Sequence, residues 1–163
     1  SEVLCPGSVG LASLRSTGRD STGGFIHRCK ELTRRPYHVL VSLAGKAAVE
    51  LYYSDTCASG CQNDINRAFN IIRDDLSENA THGFGMIDVA TQRFGYTSES
   101  MNSRNEAVTQ AELDRYMIKT KDILLKNRDF LEKATNALIE KETLLYSDIQ
   151  ALRDSTTITE VAV

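Results

Sequence analysis

The stretch Ser59-Gly60-Cys61-Gln62-Asn63-Asp64-Ile65-Asn66-Arg67-Ala68-Phe69 decides how this chain folds. It joins a helix ending near Tyr53 to a helix opening near Asp64. At about 100° per residue, Ile65, Ala68, Phe69, Ile72 and Leu76 share one stripe of the second helix, with Ile71 at its edge. Asp64 falls inside that arc, and a carboxylate facing an apolar arc must be hydrogen-bonded, paired or bound to a metal. A helix's first turn favours negative charge, so Asp64 is expected to stay ionised. An N-terminal cap by Asp64 or Asn63 also explains the position. Asp75 lies in the same arc nearer the other end, so the arc alone does not single out Asp64.

The preceding helix is predicted from about Thr33 to Tyr53, with Thr33 as its cap and Pro36 in its first turn. Tyr37, Leu40, Val41, Ala44, Ala48 and Leu51 form its apolar face. Its small middle, Ala44-Gly45-Lys46-Ala47-Ala48, predicts close packing on a neighbour. The second helix is predicted over about Gln62–Asn79. Residues 80–108 have little periodicity and read as a long, mobile connection. Thr109-x-x-Glu112 is a capping box for a helix with Leu113, Tyr116, Met117, Thr120, Ile123 and Leu124 on one face. The register shifts near Asn127, and Phe130, Leu131, Ala134 and Leu138 continue to Lys141. Residues 110–141 therefore read as an antiparallel pair of long helices. Ser147-x-x-Gln150 caps a short last helix carrying Ile149 and Leu152.

Ahead of the helices, Val9–Leu14 and Gly24–Cys29 flank a turn-rich segment and predict a small β hairpin. A lone hairpin is marginal in water, so it must lean on something else. The expected fold is thus mostly α with one N-terminal hairpin, residues 1–153 forming one domain and 154–163 a flexible tail.

With 163 residues the chain is long enough for a real core. Its formal charge of −3 gives no basic footprint for nucleic acid. No apolar run of about 18 residues spans a membrane, and there is no signal-peptide pattern. The chain opens on Ser1 without Met, as a piece of something longer would. Cys57-x-x-x-Cys61 lacks the second close pair of a soft-metal site, so Cys5, Cys29, Cys57 and Cys61 read as reduced thiols of a cytoplasmic protein. His27-x-x-x-Glu31 has helical ligand spacing, but the hairpin places His27 on a strand.

Three motifs carry a resemblance. Leu43-Ala-Gly-Lys-Ala-Ala-Val-Glu50 resembles the L-x-G-R-A-A-E-E signature of the FtsH-type ATP-dependent zinc metallopeptidases. Gly60-Cys-Gln-Asn-Asp-Ile65 is similar to their G-A-S-N-D-L. Leu138-Ile-Glu-Lys-Glu-Thr-Leu144, followed by Asp148-Ile149, is similar to their L-x-E-K-E-T-L-x-x-x-E-I. The motifs come in family order over residues 43–149, and the hairpin before them fits that order.

The resemblance implies a helical peptidase domain that follows an ATPase domain in a membrane-bound hexamer. It implies Zn2+ held by the histidines of H-E-x-x-H and by an Asp of the N-D-L segment, which makes Asp64 a metal ligand. ATP and Mg2+ would belong to the ATPase domain. Unfolded or misfolded polypeptides would be the substrates, and the work would take place on the cytoplasmic face of a membrane, with membrane contact only through other segments. The isolated piece is expected to be soluble.

The departures are equally clear. Neither H-E-x-x-H nor a G-x-x-x-x-G-K-[ST] loop occurs in the 163 residues. The histidines His27, His38 and His82 have no His partner four residues away. Lys46 and Gln62 stand where the family has Arg and Ser, and His82–Val89 departs from its Y-G-M-S-x-x-L-G run. Zinc hydrolysis needs about three protein ligands, an open position for water and a general base. The chain alone is therefore expected to be inactive, with no catalytic residue of its own. The alternative is a natural non-catalytic homologue acting as a helical oligomerisation module.

Overall fold

A computed structural model describes residues 1–15, 24–54, 59–78 and 99–160. In chain order the elements are β1 (Val9–Ser13), β2 (Phe25–Arg28), α1 (Arg35–Tyr53), a 3-10 turn (Ser59–Cys61), α2 (Gln62–Glu78), α3 (Glu99–Lys126), α4 (Arg128–Lys141), β3 (Thr143–Leu145) and α5 (Tyr146–Asp154). The mostly helical class and the N-terminal β element are as expected. The chain divides into two compact units, one of residues 1–33 with 122–163, the other of residues 34–121.

In the 34–121 unit, α1 packs along α2. Leu43 and Ala47 of α1 and Ala68 of α2 are wholly buried, and Leu43 and Ala68 belong to one core. Ile72, Leu76 and Val39 extend that core, and α3 closes it with Leu113, Val108, Tyr116 and Met117. The α2 stripe is as predicted. On α1 the deepest residues are Val39, Leu40, Leu43 and Ala47, roughly a quarter turn from the predicted face. Tyr37, Val41, Ala44, Ala48 and Leu51 are half-buried. This helix is apolar on most sides, so its pattern alone underdetermines which side goes deepest.

In this unit two helix starts differ from expectation. α1 is capped at Arg34, with no side-chain bond, and Thr33 lies outside it. α3 begins at Glu99, so residues 99–108 are helix rather than connection, while 80–98 lie outside the described residues. Thr109 is not a cap but a buried interior residue whose hydroxyl donates to the Asn105 carbonyl at 2.8 Å. A threonine hydroxyl can be satisfied one turn back as well as at a cap, so Thr-x-x-Glu does not by itself fix a helix start.

In the other unit, β1 pairs antiparallel with β2 through Leu11↔His27, Ala12↔Ile26 and Ser13↔Phe25, with an irregularity between Val9 and Leu11. What the hairpin leans on is β3, which pairs with the other edge of β1 through Leu11↔Leu145, Ala12↔Leu144 and Ser13↔Thr143. Beneath the sheet, Val9, Leu144 and Ile149 form a small core with Ala137, Leu138 and Leu152. Gly24 is required where β2 begins, because a Cβ there would sit 2.1 Å from the Ser13 carbonyl oxygen.

The last helix is capped at Leu145, not Ser147: the Asp148 carboxylate accepts the Leu145 N–H at 3.0 Å. Nor does the chain reverse at Asn127. Asn127 N–H donates to Ile123 O and Leu131 N–H to Asn127 O, so helical bonding runs through the break and residues 122–141 form a bent helix, not an antiparallel pair.

Glu2 ties this unit together. Its carboxylate is buried and accepts the Gly7 N–H at 2.5 Å, the Val9 N–H at 3.0 Å and the Gln150 amide at 3.1 Å. Gly7 takes a φ of 71° to present its N–H. Arg153 completes the clasp by donating to the Glu2 carbonyl at 2.7 Å. Glu2→Ala would strand two main-chain donors, and we expect a loss of about 2–3 kcal/mol in urea denaturation. A loss below about 0.5 kcal/mol would mean that water replaces the carboxylate.

Candidate metal-ligand site at the start of helix α2

Asp64 lies in the first turn of α2, immediately after the Ser59–Cys61 turn. It is exposed, which corrects the expectation that it faces the core. Its angular position is near the edge of the apolar arc, and burial on α2 begins only at Ala68, one turn further on. Angle fixes the side of a helix, but depth also requires something packed over that turn. Among the described residues, neither Asp64 nor Asn63 makes a side-chain capping bond, whereas neighbouring Gln62 bonds Asn66 at 3.1 Å. The Asp64 carboxylate is thus open to solvent in the first turn of the helix.

The neighbourhood is set by α1. Cys61 is half-buried, with its sulfur 3.9 Å from where a Cβ on Gly45 would stand. The motif that carries Gly45 therefore lies against the turn that presents Asp64. The same motif supplies Glu50, which accepts Lys46 at 3.1 Å and Lys121 of α3 at 2.6 Å. The Lys121 hydrogen bond, followed by that of Lys46, holds the Glu50 carboxyl below its ordinary range against the opposing effect of burial. Lys46 thus acts as an ion-pair partner one turn from Glu50.

Asp75 is half-buried and receives Arg35 at 3.5 Å, and Arg35 also pairs with Glu78. Asp75 lines a crevice of about 40 Å³ with Glu112 and Tyr116. Burial, then the Asp75 and Glu112 charges, push the Tyr116 hydroxyl above its ordinary pKa.

Among the described residues no three His, Cys, Asp or Glu side chains come together to hold a metal ion. The donors present do not fit zinc by themselves: Asp64 offers a single exposed carboxylate. His27 is exposed on β2, as read, and is no helical partner of Glu31. His82 and Cys57 lie outside the described residues, and Cys5, Cys29 and Cys61 are free thiols. No described helix is long and apolar enough to cross a membrane.

Comparison with known proteins agrees with this architecture. The profile of peptidase family M41 matches residues 30–152, from just before α1 into α5, and the chain belongs to that family. It is 30% identical over 122 residues, 69% of its length, to the ATP-dependent zinc metalloprotease FtsH of Thermus thermophilus, covering 19% of that protein. It is 29% identical to the FtsH of Streptobacillus moniliformis over 98% of its length, covering 25% of that protein. The FtsH of Rickettsia prowazekii is 29% identical over 92% of the chain, which covers 26% of it. The chain thus spans about a fifth to a quarter of the length of these relatives.

The Glu50 ion cluster predicts a pH signature. A carboxyl held below its ordinary pKa adds stability above that pKa, and this is lost as pH falls through the lowered folded value. We expect Glu50→Gln to cost about 1 kcal/mol at pH 7, discounting for the partial exposure of Lys121. The gap from wild type should close as the pH drops below about 4, read from urea midpoints across the pH series. A gap independent of pH would assign the loss to packing instead.

Proposed function

We propose that this chain is the C-terminal portion of the peptidase domain of a membrane-bound, ATP-dependent zinc metalloprotease that degrades unfolded or misfolded proteins. The observation that carries this reading is the family match over residues 30–152, together with an exposed Asp64 at the N-D-I position that has no partner among the described residues. Asp64 would contribute one carboxylate ligand to zinc, the remaining ligands and the general base coming from an H-E-x-x-H segment outside these 163 residues. A capping role would require a hydrogen bond that Asp64 does not make among the described residues. In the intact protein a homohexamer on the cytoplasmic face of a membrane would deliver substrates to this site, with ATP and Mg2+ used by a separate domain.

A polypeptide substrate also suits the sheet. The strand order β2-β1-β3 leaves the outer edge of β2 with no strand beside it among the described residues, and Phe25 and Ile26 are exposed there. An extended chain can add to such an edge through main-chain hydrogen bonds.

In the intact protein we expect Asp64→Asn to abolish peptidase activity and zinc loading while ATP hydrolysis continues. The neutral amide keeps the shape but loses the charge that balances the metal. In the isolated chain the same change should alter stability by less than about 0.5 kcal/mol, because the side chain is exposed and unpaired. Full activity with unchanged zinc content in the Asn variant would remove Asp64 from the ligand set.

The isolated chain should neither cleave casein nor hydrolyse ATP. Zinc-dependent cleavage by the purified 163 residues would overturn the ligand count. Reading the coding sequence upstream of Ser1 separates this proposal from a non-catalytic oligomerisation module: an in-frame H-E-x-x-H supports the protease, and its absence supports the module.

A further inference from the structure

The break between α3 and α4 holds a contact that neither the family motifs nor the candidate metal site uses. Asn127 is only 4% exposed, and its backbone leaves the helical range with φ −114° and ψ 29°. Its side-chain Nδ2 donates to the Ile123 carbonyl at 2.9 Å and to the Thr159 carbonyl at 3.1 Å. Its Oδ1 accepts the Thr159 N–H at 2.9 Å. One carboxamide therefore grips both main-chain groups of a residue 32 positions away, much as a residue on a neighbouring strand would.

The approach to this contact is also organised. Past α5, the Ser155 and Thr156 hydroxyls donate to the Leu152 carbonyl at 2.8 and 3.1 Å and turn the chain. Lys133 of α4 then takes the Ser155 carbonyl at 3.1 Å. Residues 155–160 thus run back along α4 to its first turn.

We propose that this segment is a strap and Asn127 its latch, so that strap and helix bend are held or released together. The chemistry requires an amide. Aspartate would lack the two donated bonds, and a hydroxyl could not donate and accept at this spacing. With the strap removed, Asn127 loses its two bonds to Thr159 and keeps only the one to Ile123, so less holds its side chain and its non-helical backbone in place. A protein that captures residues 155–160 would therefore loosen the α3–α4 bend without touching it. This device is independent of the zinc-protease reading.

Amide hydrogen exchange on the full 163-residue chain tests the coupling. Thr159 is exposed, so replacing it need not disturb a core. Thr159→Pro removes the N–H that Asn127 accepts. It should speed exchange at residues 123–131 about tenfold or more, the factor expected when hydrogen bonds of ordinary strength are lost. Thr159→Ala keeps both main-chain groups and should leave that exchange at its wild-type rate. Asn127→Ala should free residues 155–160 in turn. If that buried change melts the whole chain, the Thr159 pair alone decides. Wild-type exchange at 123–131 in Thr159→Pro would overturn the latch, and so would equal acceleration by Thr159→Ala, since the grip is on the main chain.

Discussion

How closely α1 can approach α2 governs the 34–121 unit. Leu43, Ala47 and Ala68 have no exposed surface, and Leu43 and Ala68 belong to the core that α1, α2 and α3 share. A larger residue there would force the backbones apart, and close-packed interiors accommodate added methylenes poorly. The contact matters beyond stability because α2 begins with the turn that carries Asp64. Seating α2 on α1 sets where that turn points. Gly45 and Cys61 lie at the same junction, so one motif serves both the packing and the placement of the carboxylate.

The parts of the fold that could be read from the chain are those where one element is apolar on one side only. On α2 a narrow stripe meets a polar surface, and the stripe is what the structure buries. On α1 nearly every side is apolar, and the buried face depends on which neighbours arrive. Local signals fail where two local solutions compete. Thr109 and Ser147 both begin patterns that fit a cap, yet Thr109 is satisfied inside a helix and the last helix is capped by Asp148 instead. The strand β3 has three residues and pairs with β1 from more than 100 positions away, so no periodicity could announce it. The Asn127 contact is likewise nonlocal, although the register shift at that residue was legible.

Charge placement sorts the carboxylates of the described residues by what surrounds them. Glu2 is buried and answered by two main-chain N–H groups and an amide. Glu50 is half-buried and answered by two lysines. Each follows the rule that a carboxylate withdrawn from water must find donors. Asp148, half-buried, has Lys141 and a main-chain N–H, which hold its carboxyl below the ordinary range.

Asp64 stands apart from this series. It lies in the first turn of α2, and nothing in its own unit among the described residues pairs with its carboxylate. A structural carboxylate at a helix start ordinarily accepts a main-chain N–H of its own first turn, and Asp64 does not. Its charge is therefore available to something that the described residues do not supply. On the proposed reading, the family position of the N-D-I segment would make that something a cation held by several donors. On that proposal, a carboxylate whose fellow donors come from another segment would be exposed and without a partner in its own segment, as Asp64 is among the described residues.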